Sequence, residues 1–309
     1  MLNYVFLVVG FALLIKGADF FVDGSASVAK KLRIPTMIIG MTIVAMGTSA
    51  PECAVSIAAS LKGSNSMAIS NVVGSNIFNL MVVCGACAVF APLAVKESTM
   101  KQEFPLSILA AVMLWVMGSR SMSIGRVDGI IMLMVFALFL IWMVMEAKKA
   151  RSNIQEEELI PLKGWQCLVY IVVGIAAIVV GGDFVVDSAT AIAEDFGLSP
   201  TLIGLTIVAF GTSLPELVTS LVAAKKGETD MALGNVIGSN IFNILLVLGI
   251  AGAVSPMEVL MENLIDDIIL IGMSSVVWMF AWRRKQIGRL HGGIMLAMYA
   301  GYMGYICTR

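Results

Sequence analysis

Residues 39–52 read IGMTIVAMGTSAPE, and residues 203–216 read IGLTIVAFGTSLPE, with 11 of the 14 positions identical. A second pair of segments, at residues 71–79 and 235–243, reads NVVGSNIFN and NVIGSNIFN, with 8 of 9 positions identical. Both pairs are separated by 164 residues. A constant offset indicates one duplicated unit. The residues that repeat include Thr, Ser, Glu and Asn inside apolar surroundings, which is typical of a functional site.

The composition places this chain in a membrane. Hydrophobic residues make up 59% of it, charged residues 13%, and the mean hydropathy is +0.94, which excludes a soluble globular domain. Because about 20 apolar residues span a bilayer as a helix, and no ten-residue alternation typical of a barrel is present, we predict an all-α integral membrane protein. Its ten predicted transmembrane helices are residues 4–27, 36–61, 67–91, 104–119, 127–146, 166–190, 200–224, 231–254, 264–282 and 290–306.

Basic residues predict the orientation of the spans. Fifteen of the 20 Lys and Arg residues fall in loops on one side, and the positive-inside rule makes that side the cytoplasm. The other side holds only Lys62, Arg120, Arg126 and Arg309, while Lys16 lies within the first span. Both termini are therefore expected outside, in a multi-pass protein of the inner or plasma membrane.

Five spans per copy is an odd number, so the second copy is predicted to enter the membrane from the opposite side. We assign residues 1–146 to the first five-helix repeat, 147–164 to a cytoplasmic linker, and 165–309 to the second, inverted repeat. Inverted repeats are the architecture of many secondary transporters, which bind substrate near the bilayer midplane.

The GTS-x-PE motif predicts a broken helix that carries an acid. Pro51 lacks an N–H and clashes with the preceding turn, so span 2 is expected to bend there and free backbone carbonyls. Irregular backbone is tolerated at this depth only where it is buried in protein or lines a cavity. Glu52 lies three and four residues after Ser49 and Thr48, which places their oxygens on one face. Glu216, Ser213 and Thr212 repeat this arrangement.

These oxygens suit Na⁺, Ca²⁺ or Mg²⁺ better than a soft transition metal. A simple Pro kink with Ser and Thr capping neighbouring carbonyls would explain most of the motif. It does not explain a Glu inside the membrane in both copies, because an ionisable group there costs roughly 2.5 kcal/mol or more. We therefore interpret the motif as a cation site.

Two polar stripes accompany the acids. Asn71, Ser75 and Asn79 recur at every fourth residue of span 3, and span 8 repeats them as Asn235, Ser239 and Asn243. Such stripes bond helices together or supply neutral oxygens to a cation. We expect ligands at Ser75, Asn79, Ser239 and Asn243, and packing roles for Asn71 and Asn235.

For four further acidic residues, two interpretations of their role stay open. Asp19 and Asp23, repeated as Asp183 and Asp187, line an ion entrance or are solvated residues at helix ends. Cys84 and Cys87 have CxxC spacing but stand in mid-helix among small apolar residues, which favours packing over metal binding.

The paired GTS-x-PE and GSN-x-FN motifs, with ten spans in two inverted halves, resemble the prokaryotic type of the sodium/calcium exchanger family, in the Ca²⁺/cation antiporter superfamily. The resemblance covers essentially the whole chain. It implies exchange of Ca²⁺ for Na⁺ by alternating access, with spans 1 and 6 sliding across the other eight. It also implies the following ligands: Glu52 and Glu216 at the centre, Thr48, Ser49, Thr212 and Ser213 beside them, the carbonyls of Ala45 and Ala209, and Ser75, Asn79, Ser239 and Asn243.

The resemblance also bears on potassium. Potassium-dependent relatives tend to carry Asp where Asn79 or Asn243 stands, so we expect K⁺-independent exchange here.

The alternatives are Ca²⁺/H⁺ antiport on the same scaffold, a cation channel, and an intramembrane hydrolase. The duplicated broken helices argue against a channel, and a missing His-assisted nucleophile argues against an enzyme. We expect Ca²⁺, Na⁺ and the lipid bilayer as partners, no nucleic acid and no resident cofactor. The oligomeric state stays open, with a monomer as the working assumption.

Overall fold

A computed structural model describes residues 2–61, 65–151, 162–197 and 209–308. Almost all of this chain is helical. The helices are Leu2–Leu32 (α1), Thr36–Ile39 (α2), Ala45–Thr48 (α3), Ala50–Leu61 (α4), Asn65–Phe78 (α5), Cys84–Phe90 (α6), Phe104–Ser121 (α7), Arg126–Arg151 (α8), Gly164–Asp195 (α9), Ala209–Gly211 (α10), Leu214–Lys225 (α11), Thr229–Phe242 (α12), Leu248–Val254 (α13), Met261–Arg284 (α14) and Arg289–Thr308 (α15).

Short π-helical turns and strands complete the described part. The π-turns, which continue the neighbouring helices, are Gly40–Val44, Asn79–Val83, Thr99–Glu103 and Asn243–Val247. The strands are Leu93–Ala94 (β1), Ser123–Ile124 (β2), Met257–Glu258 (β3) and Gln286–Ile287 (β4).

The helices account for the ten predicted spans. Seven continuous helices are long and apolar enough to cross a bilayer, and the bent segment 36–61 makes an eighth. The last span is α15, with 20 residues. The remaining one ends with α11, and its first half, residues 198–208, lies outside the described residues. The fold is therefore the predicted all-helical bundle. Spans 1 and 6 are longer than predicted, at 31 and 32 residues, which at about 1.5 Å per residue exceeds the roughly 30 Å apolar core of a bilayer.

Span 2 breaks where Pro51 predicts. The segments Thr36–Thr48 and Ala50–Leu61 meet at an angle of 51°. Pro51 becomes the second residue of α4, a position where a missing N–H costs no hydrogen bond. Pro215 takes the same place in α11, after Leu214.

The two repeats are related by a pseudo-two-fold axis. Strand β1 of the first repeat pairs with β4 of the second, and β2 pairs with β3. Such a mutual exchange is what a two-fold relation requires. The pairing also places the loop between spans 3 and 4 on the same side as that between spans 9 and 10, as the predicted topology has it.

Helices α1 and α9 show the inversion directly. They pack on each other more extensively than either packs on any other helix, and their glycines mark an antiparallel crossing. An ideal Cβ at Gly10 would lie 2.9 Å from the carbonyl oxygen of Gly181, and one at Gly17 would lie 2.9 Å from that of Gly174. As the contact moves forward along α1 it moves backward along α9. Because the two helices are equivalent members of the repeats, the repeats are inverted.

The first copy has one residue more than the second, in the stretch from β1 to β2 compared with that from β3 to β4. Equivalent positions are 164 residues apart at the start of β1 and β3, but Ile124 and Ile287, which both pair with the other repeat, are 163 apart. Between these points the first copy contains the π-turn Thr99–Glu103, whereas the second continues as the regular helix α14. A π-turn accommodates a single inserted residue in a helix, so we attribute the change of offset to this turn.

The polar stripes lie at the centre of the bundle. Within the most apolar 18-residue windows, 78% of the residues of span 3 and 83% of those of span 8 are buried, against 33% for α1 and 28% for α9. Spans 3 and 8 therefore form the core, and α1 and α9 form a pair at the periphery. The buried Cys84 and Cys87 are unbridged, in agreement with the packing interpretation.

Candidate cation site

Two glutamates meet at the pseudo-two-fold axis. Glu52 is the third residue of α4 and Glu216 the third residue of α11, and neither is exposed at all. The Ser49 hydroxyl donates to Oε1 of Glu216 at 2.7 Å, and the Ser213 hydroxyl donates to Oε1 of Glu52 at 3.1 Å. The serine at each helix break therefore bonds to the glutamate of the other repeat, which brings the two carboxylates into one site.

The helix breaks suit negative charge. Both acids stand in the first turn of a helix, where backbone N–H groups and the helix dipole stabilise an anion. The same breaks place Ser49 and Ser213 at the junction residues that precede α4 and α11. The Pro residues that interrupt spans 2 and 7 thus create both the anion-stabilising helix ends and the positions of the hydroxyl donors.

The two threonines have different partners among the described residues, which do not include Val208, the counterpart of Val44. The Thr48 hydroxyl lies 3.2 Å from the carbonyl oxygen of Val44, 3.4 Å from that of Ala45, and 3.1 Å from Oδ1 of Asn235. The Ala45 carbonyl, which the resemblance makes a ligand, also accepts the N–H of Ser49 at 3.0 Å. The hydroxyl of Thr212 is buried and has no partner among the described residues. Ala209 begins α10, one turn before Ser213.

The stripe residues enter the site from spans 3 and 8. Asn79 and Asn243 each begin a π-turn, at equivalent positions of the two copies. Asn243 donates its amide to Oδ1 of Asn76 at 3.2 Å, and its own Oδ1 has no partner among the described residues. Ser75 and Ser239 lie one turn earlier and are also buried. All four stripe residues predicted as ligands are thus in the core.

Sequence reasoning missed Asn76 and Asn240. Each donates its amide to the backbone carbonyl of the other, at 3.1 and 3.2 Å. This reciprocal pair ties spans 3 and 8 together at the pseudo-two-fold axis. The signal was available, because both asparagines belong to the repeated GSN motif.

Asn71 and Asn235 have the packing role expected of them. The Asn71 amide donates to the Ser56 hydroxyl at 3.0 Å, and the Asn235 amide donates to the Ser220 hydroxyl at 2.9 Å. Each bond joins the helix after a break to the stripe helix beside it. Asn235 also contacts Thr48, so it links three helices.

The site contains more buried oxygens than hydrogen bonds to satisfy them. Burying a polar atom without a partner costs about 1–3 kcal/mol, so native proteins rarely leave several in one place. Six oxygens that belong to the predicted ligand set are buried without a partner among the described residues: Oε2 of Glu52 and of Glu216, Oδ1 of Asn79 and of Asn243, Oγ of Ser239 and Oγ1 of Thr212. Carboxylate, amide and hydroxyl oxygens are the ligands of hard cations. This set fits a bound cation as its missing partner.

The two aspartates of α1 lie at the periphery of the bundle and contact a lysine there. Asp19 and Asp23 lie on α1 and form ion pairs with Lys226, at 3.4 and 2.7 Å. Both carboxylates are therefore engaged by a lysine of the second repeat. Outside the central site, the structure also buries Asp267 on α14 with neither carboxylate oxygen bonded among the described residues, a residue that sequence reasoning did not select.

A ten-span inverted repeat whose broken helices bring buried carboxylates to a shared axis defines the secondary-transporter class of membrane proteins. Comparison with known proteins narrows the class. The family described as "Sodium/calcium exchanger protein" matches residues 2–145 and 167–308. The chain belongs to the sodium/calcium exchanger family.

Individual relatives are similar to this chain over nearly its whole length. The sodium/calcium exchanger MaX1 of Methanosarcina acetivorans is 31% identical over 97% of both chains. The inner membrane protein YrbG of Escherichia coli is 36% identical over 99% of this chain and 96% of its own. The solved structure of the sodium-calcium exchanger NCX_Mj soaked with Na⁺ and Sr²⁺ has a TM-score of 0.87, covers 98% of both chains and is 33% identical.

Proposed function

We propose that this protein is a K⁺-independent antiporter that exchanges Ca²⁺ for Na⁺ across the inner or plasma membrane, by alternating access and with both termini outside. One observation carries the proposal, namely the six unpartnered oxygens around two buried glutamates. Glu52 and Glu216 supply the charge, and the Asn, Ser and Thr oxygens supply neutral ligands. Among the described residues no group of three or more His, Cys, Asp or Glu side chains could hold a metal, so the neutral oxygens are needed to complete a coordination shell.

Charge gives a reason for coupled exchange. Two ionised carboxylates that share a site repel each other strongly when water is excluded. One Ca²⁺ neutralises both charges, and so do two Na⁺. A loaded carrier can therefore close around its ions, whereas repulsion between the two carboxylates opposes closure of an empty one. This difference favours exchange over leak.

The relatives support the choice of ions. A protein named as a sodium/calcium exchanger matches this chain from end to end. The asparagines at positions 79 and 243 leave two formal negative charges among the proposed ligands, which is enough for one Ca²⁺ or two Na⁺ without a further K⁺.

Ca²⁺/H⁺ antiport is the second candidate, because a pair of buried carboxylates can also carry protons. The hydrogen bonds favour Na⁺ over protons. Ser49 and Ser213 already donate to one oxygen of each carboxylate, so Oε2 is left as a ligand in a shell rich in hydroxyl and amide oxygens. That shell resembles a Na⁺ site more than a proton relay.

The test is ⁴⁵Ca²⁺ uptake into proteoliposomes containing the full chain. Four conditions are compared: an outward Na⁺ gradient, a pH gradient, neither, and the Na⁺ gradient with K⁺ omitted from both sides. We expect uptake with the Na⁺ gradient, whether or not K⁺ is present, and none with the pH gradient alone. Uptake driven by the pH gradient alone would establish proton coupling instead. Loss of uptake on omission of K⁺ would overturn the K⁺-independent assignment.

A further inference from the structure

A cluster of opposite charges joins the peripheral helix pair to the helix that carries Glu216. Lys226 immediately follows α11, ten residues after that glutamate. Its Nζ lies 2.7 Å from Oδ1 of Asp23, 3.4 Å from Oδ1 of Asp19 and 3.0 Å from the backbone carbonyl oxygen of Asp19. Both aspartates are on α1. We call these three residues the Lys226 clamp.

The clamp spans the seam between α1 and α11, which pack along each other. Because Glu216 stands near the start of α11 and Lys226 follows its end, this seam runs from the cation site toward the Lys226 end of the bundle. Opening the seam requires α1 to leave α11, and that movement breaks all the contacts of Lys226. The clamp therefore holds one end of the site closed.

Among the described residues the equivalent seam at the other end is less closely packed, and Lys62, the counterpart of Lys226, lies outside those residues. Inversion makes α9 and α4 the counterparts of α1 and α11, yet the described residues of α9 and α4 make only marginal contact with each other. Near that end a cavity of about 250 Å³ opens beside the start of α1, lined by Asn3, Phe6, Phe184, Asp187 and Ser188. Asp19 and Asp23 lie 16 and 20 residues after Asn3 on α1, which at roughly 1.5 Å per residue is close to the thickness of the apolar core of a bilayer. The two ends thus differ in conformation although their sequences repeat.

We propose that Lys226 is a positioning residue that, through Asp19 and Asp23, holds the seam shut at its own end and so biases the site to open at the Asn3 end. The proposal rests on the proposed function, because it assigns a side to alternating access. The residue types fit the role. The Lys226 side chain is 28% exposed, and those of Asp19 and Asp23 are 32% and 48% exposed, so water can reach the pairs and replace them when the seam opens.

Neighbouring charges modify the clamp without duplicating it. Lys16, one turn before Asp19 on the same helix, lies 3.6 Å from the other carboxylate oxygen of Asp19. Since Lys16 and Asp19 are on one helix, their pairing cannot tie α1 to α11. Lys225 is exposed and adjacent to Lys226, so it carries the same charge without joining the clamp. Lys225 therefore provides a matched control.

Partly exposed ion pairs are individually weak, so the expected effect is a change in population. The loss of Lys226 should lower the ratio of molecules open at the Asn3 end to molecules closed there by about three- to tenfold. A switch from fully open to fully closed is not expected.

The experiment measures access to the cavity at the Asn3 end. Ser188→Cys is introduced after Cys53 and Cys307, which are not buried, are replaced by Ala. The purified chain, free of Na⁺ and Ca²⁺, is treated with a small charged methanethiosulfonate reagent, and the rate of modification of position 188 is measured. Lys226→Gln should slow modification, by at most about three- to tenfold, and Lys225→Gln should leave the rate unchanged. The charge exchange Lys226→Asp with Asp23→Lys should restore the original rate.

Three results would overturn the proposal: an unchanged rate in Lys226→Gln, an equal effect of Lys225→Gln, or failure of the charge exchange to restore a slowed rate. A variant that is merely unstable would modify faster, not slower, so the direction separates positioning from loss of fold. Modification requires no transport. If the parent chain fails to exchange Ca²⁺ for Na⁺ but Lys226→Gln still slows modification, the clamp stands and the proposed function fails.

Where transport is present, a second measurement applies. Lys226→Gln should raise the half-saturating Ca²⁺ concentration at the Asn3 face and lower it at the Lys226 face, because the population moves from one open state to the other. Shifts in the same direction at both faces would contradict a bias between the two states.

Discussion

Replacing Gly174 by Ala tests the packing of the α1–α9 pair. An ideal Cβ at Gly174 would lie 2.7 Å from the backbone nitrogen of Phe21, 2.8 Å from its Cβ and 2.9 Å from the carbonyl oxygen of Gly17. Two of these three atoms are backbone, and Cβ is fixed to backbone, so no side-chain rotation relieves the contact. Ordinary contact begins at 3.4 Å, so the two helices must separate locally by about 0.7 Å, or α1 must bend.

The size of the effect follows from two opposing contributions. Overpacking of this kind costs about 1–3 kcal/mol, while Gly→Ala in a helix returns roughly 0.5–1 kcal/mol. Gly272→Ala in α14 is the matched control, since Gly272 is exposed and no atom of the described residues lies within 4 Å of a Cβ there. Only the favourable contribution applies to it.

Thermal unfolding in detergent, followed by the fluorescence of the five tryptophans, measures the difference. One kcal/mol shifts the midpoint by about 2–4 °C in chains of 150–250 residues, and by less in longer ones. The net cost is up to about 2.5 kcal/mol, so we expect Gly174→Ala to lower the apparent Tm by up to about 5 °C, and Gly272→Ala to leave it unchanged or raise it slightly. Equal shifts in the two variants, or a higher Tm for Gly174→Ala, would refute the packing described for α1 and α9.

Three further predictions concern the site and the topology. Glu52→Gln and Glu216→Gln should each abolish Na⁺-driven ⁴⁵Ca²⁺ uptake, because a single remaining carboxylate cannot balance Ca²⁺; Cys53→Ala, next to the acid, should retain it, and near-normal uptake in both Gln variants would disprove the assignment. Asn243→Asp adds a third negative charge to the site, so Na⁺/Ca²⁺ exchange should slow at least tenfold without K⁺; uptake at the parent rate in K⁺-free buffer would show that this position does not face the ions. The exposed Cys307 should react with a membrane-impermeant maleimide in intact cells if the C-terminus is outside, and labelling only after permeabilisation would reverse the predicted orientation.

Much of the fold was predictable because the bilayer imposes strong rules on sequence. A membrane span must be a helix of about 20 apolar residues, and the duplicated motifs then indicate which spans are equivalent. Pro51 and Pro215 mark the helix breaks, since proline removes a backbone donor wherever it stands. The acids three residues after each Ser were identifiable for a similar reason, because an ionisable group at that depth is too costly to be incidental.

The domain boundaries at 146 and 165, and the ion ligands themselves, stay predictions. The structure nevertheless places the candidate ligands of the described residues in one core, and it explains why the stripe positions differ in role. Asn71 and Asn235 bond to serines on neighbouring helices, while Asn79 and Asn243 each have an oxygen without a partner in the part of the chain that the structure describes. Residue spacing could not identify the partners Ser56 and Ser220, because they lie on other helices.

The sequence by itself determined the number of spans, the inverted duplication and the acids that meet at its axis, because each depends on local composition or on a repeated pattern. Only the tertiary structure decided which residues complete contacts between distant segments: Ser49 with Glu216, Asn76 with Asn240, and Lys226 with Asp19 and Asp23. It also showed that the two ends of the bundle differ, although the sequence repeats. A repeated sequence specifies two equivalent conformations, and the packing of α1 and α9 against the core determines which of them is present.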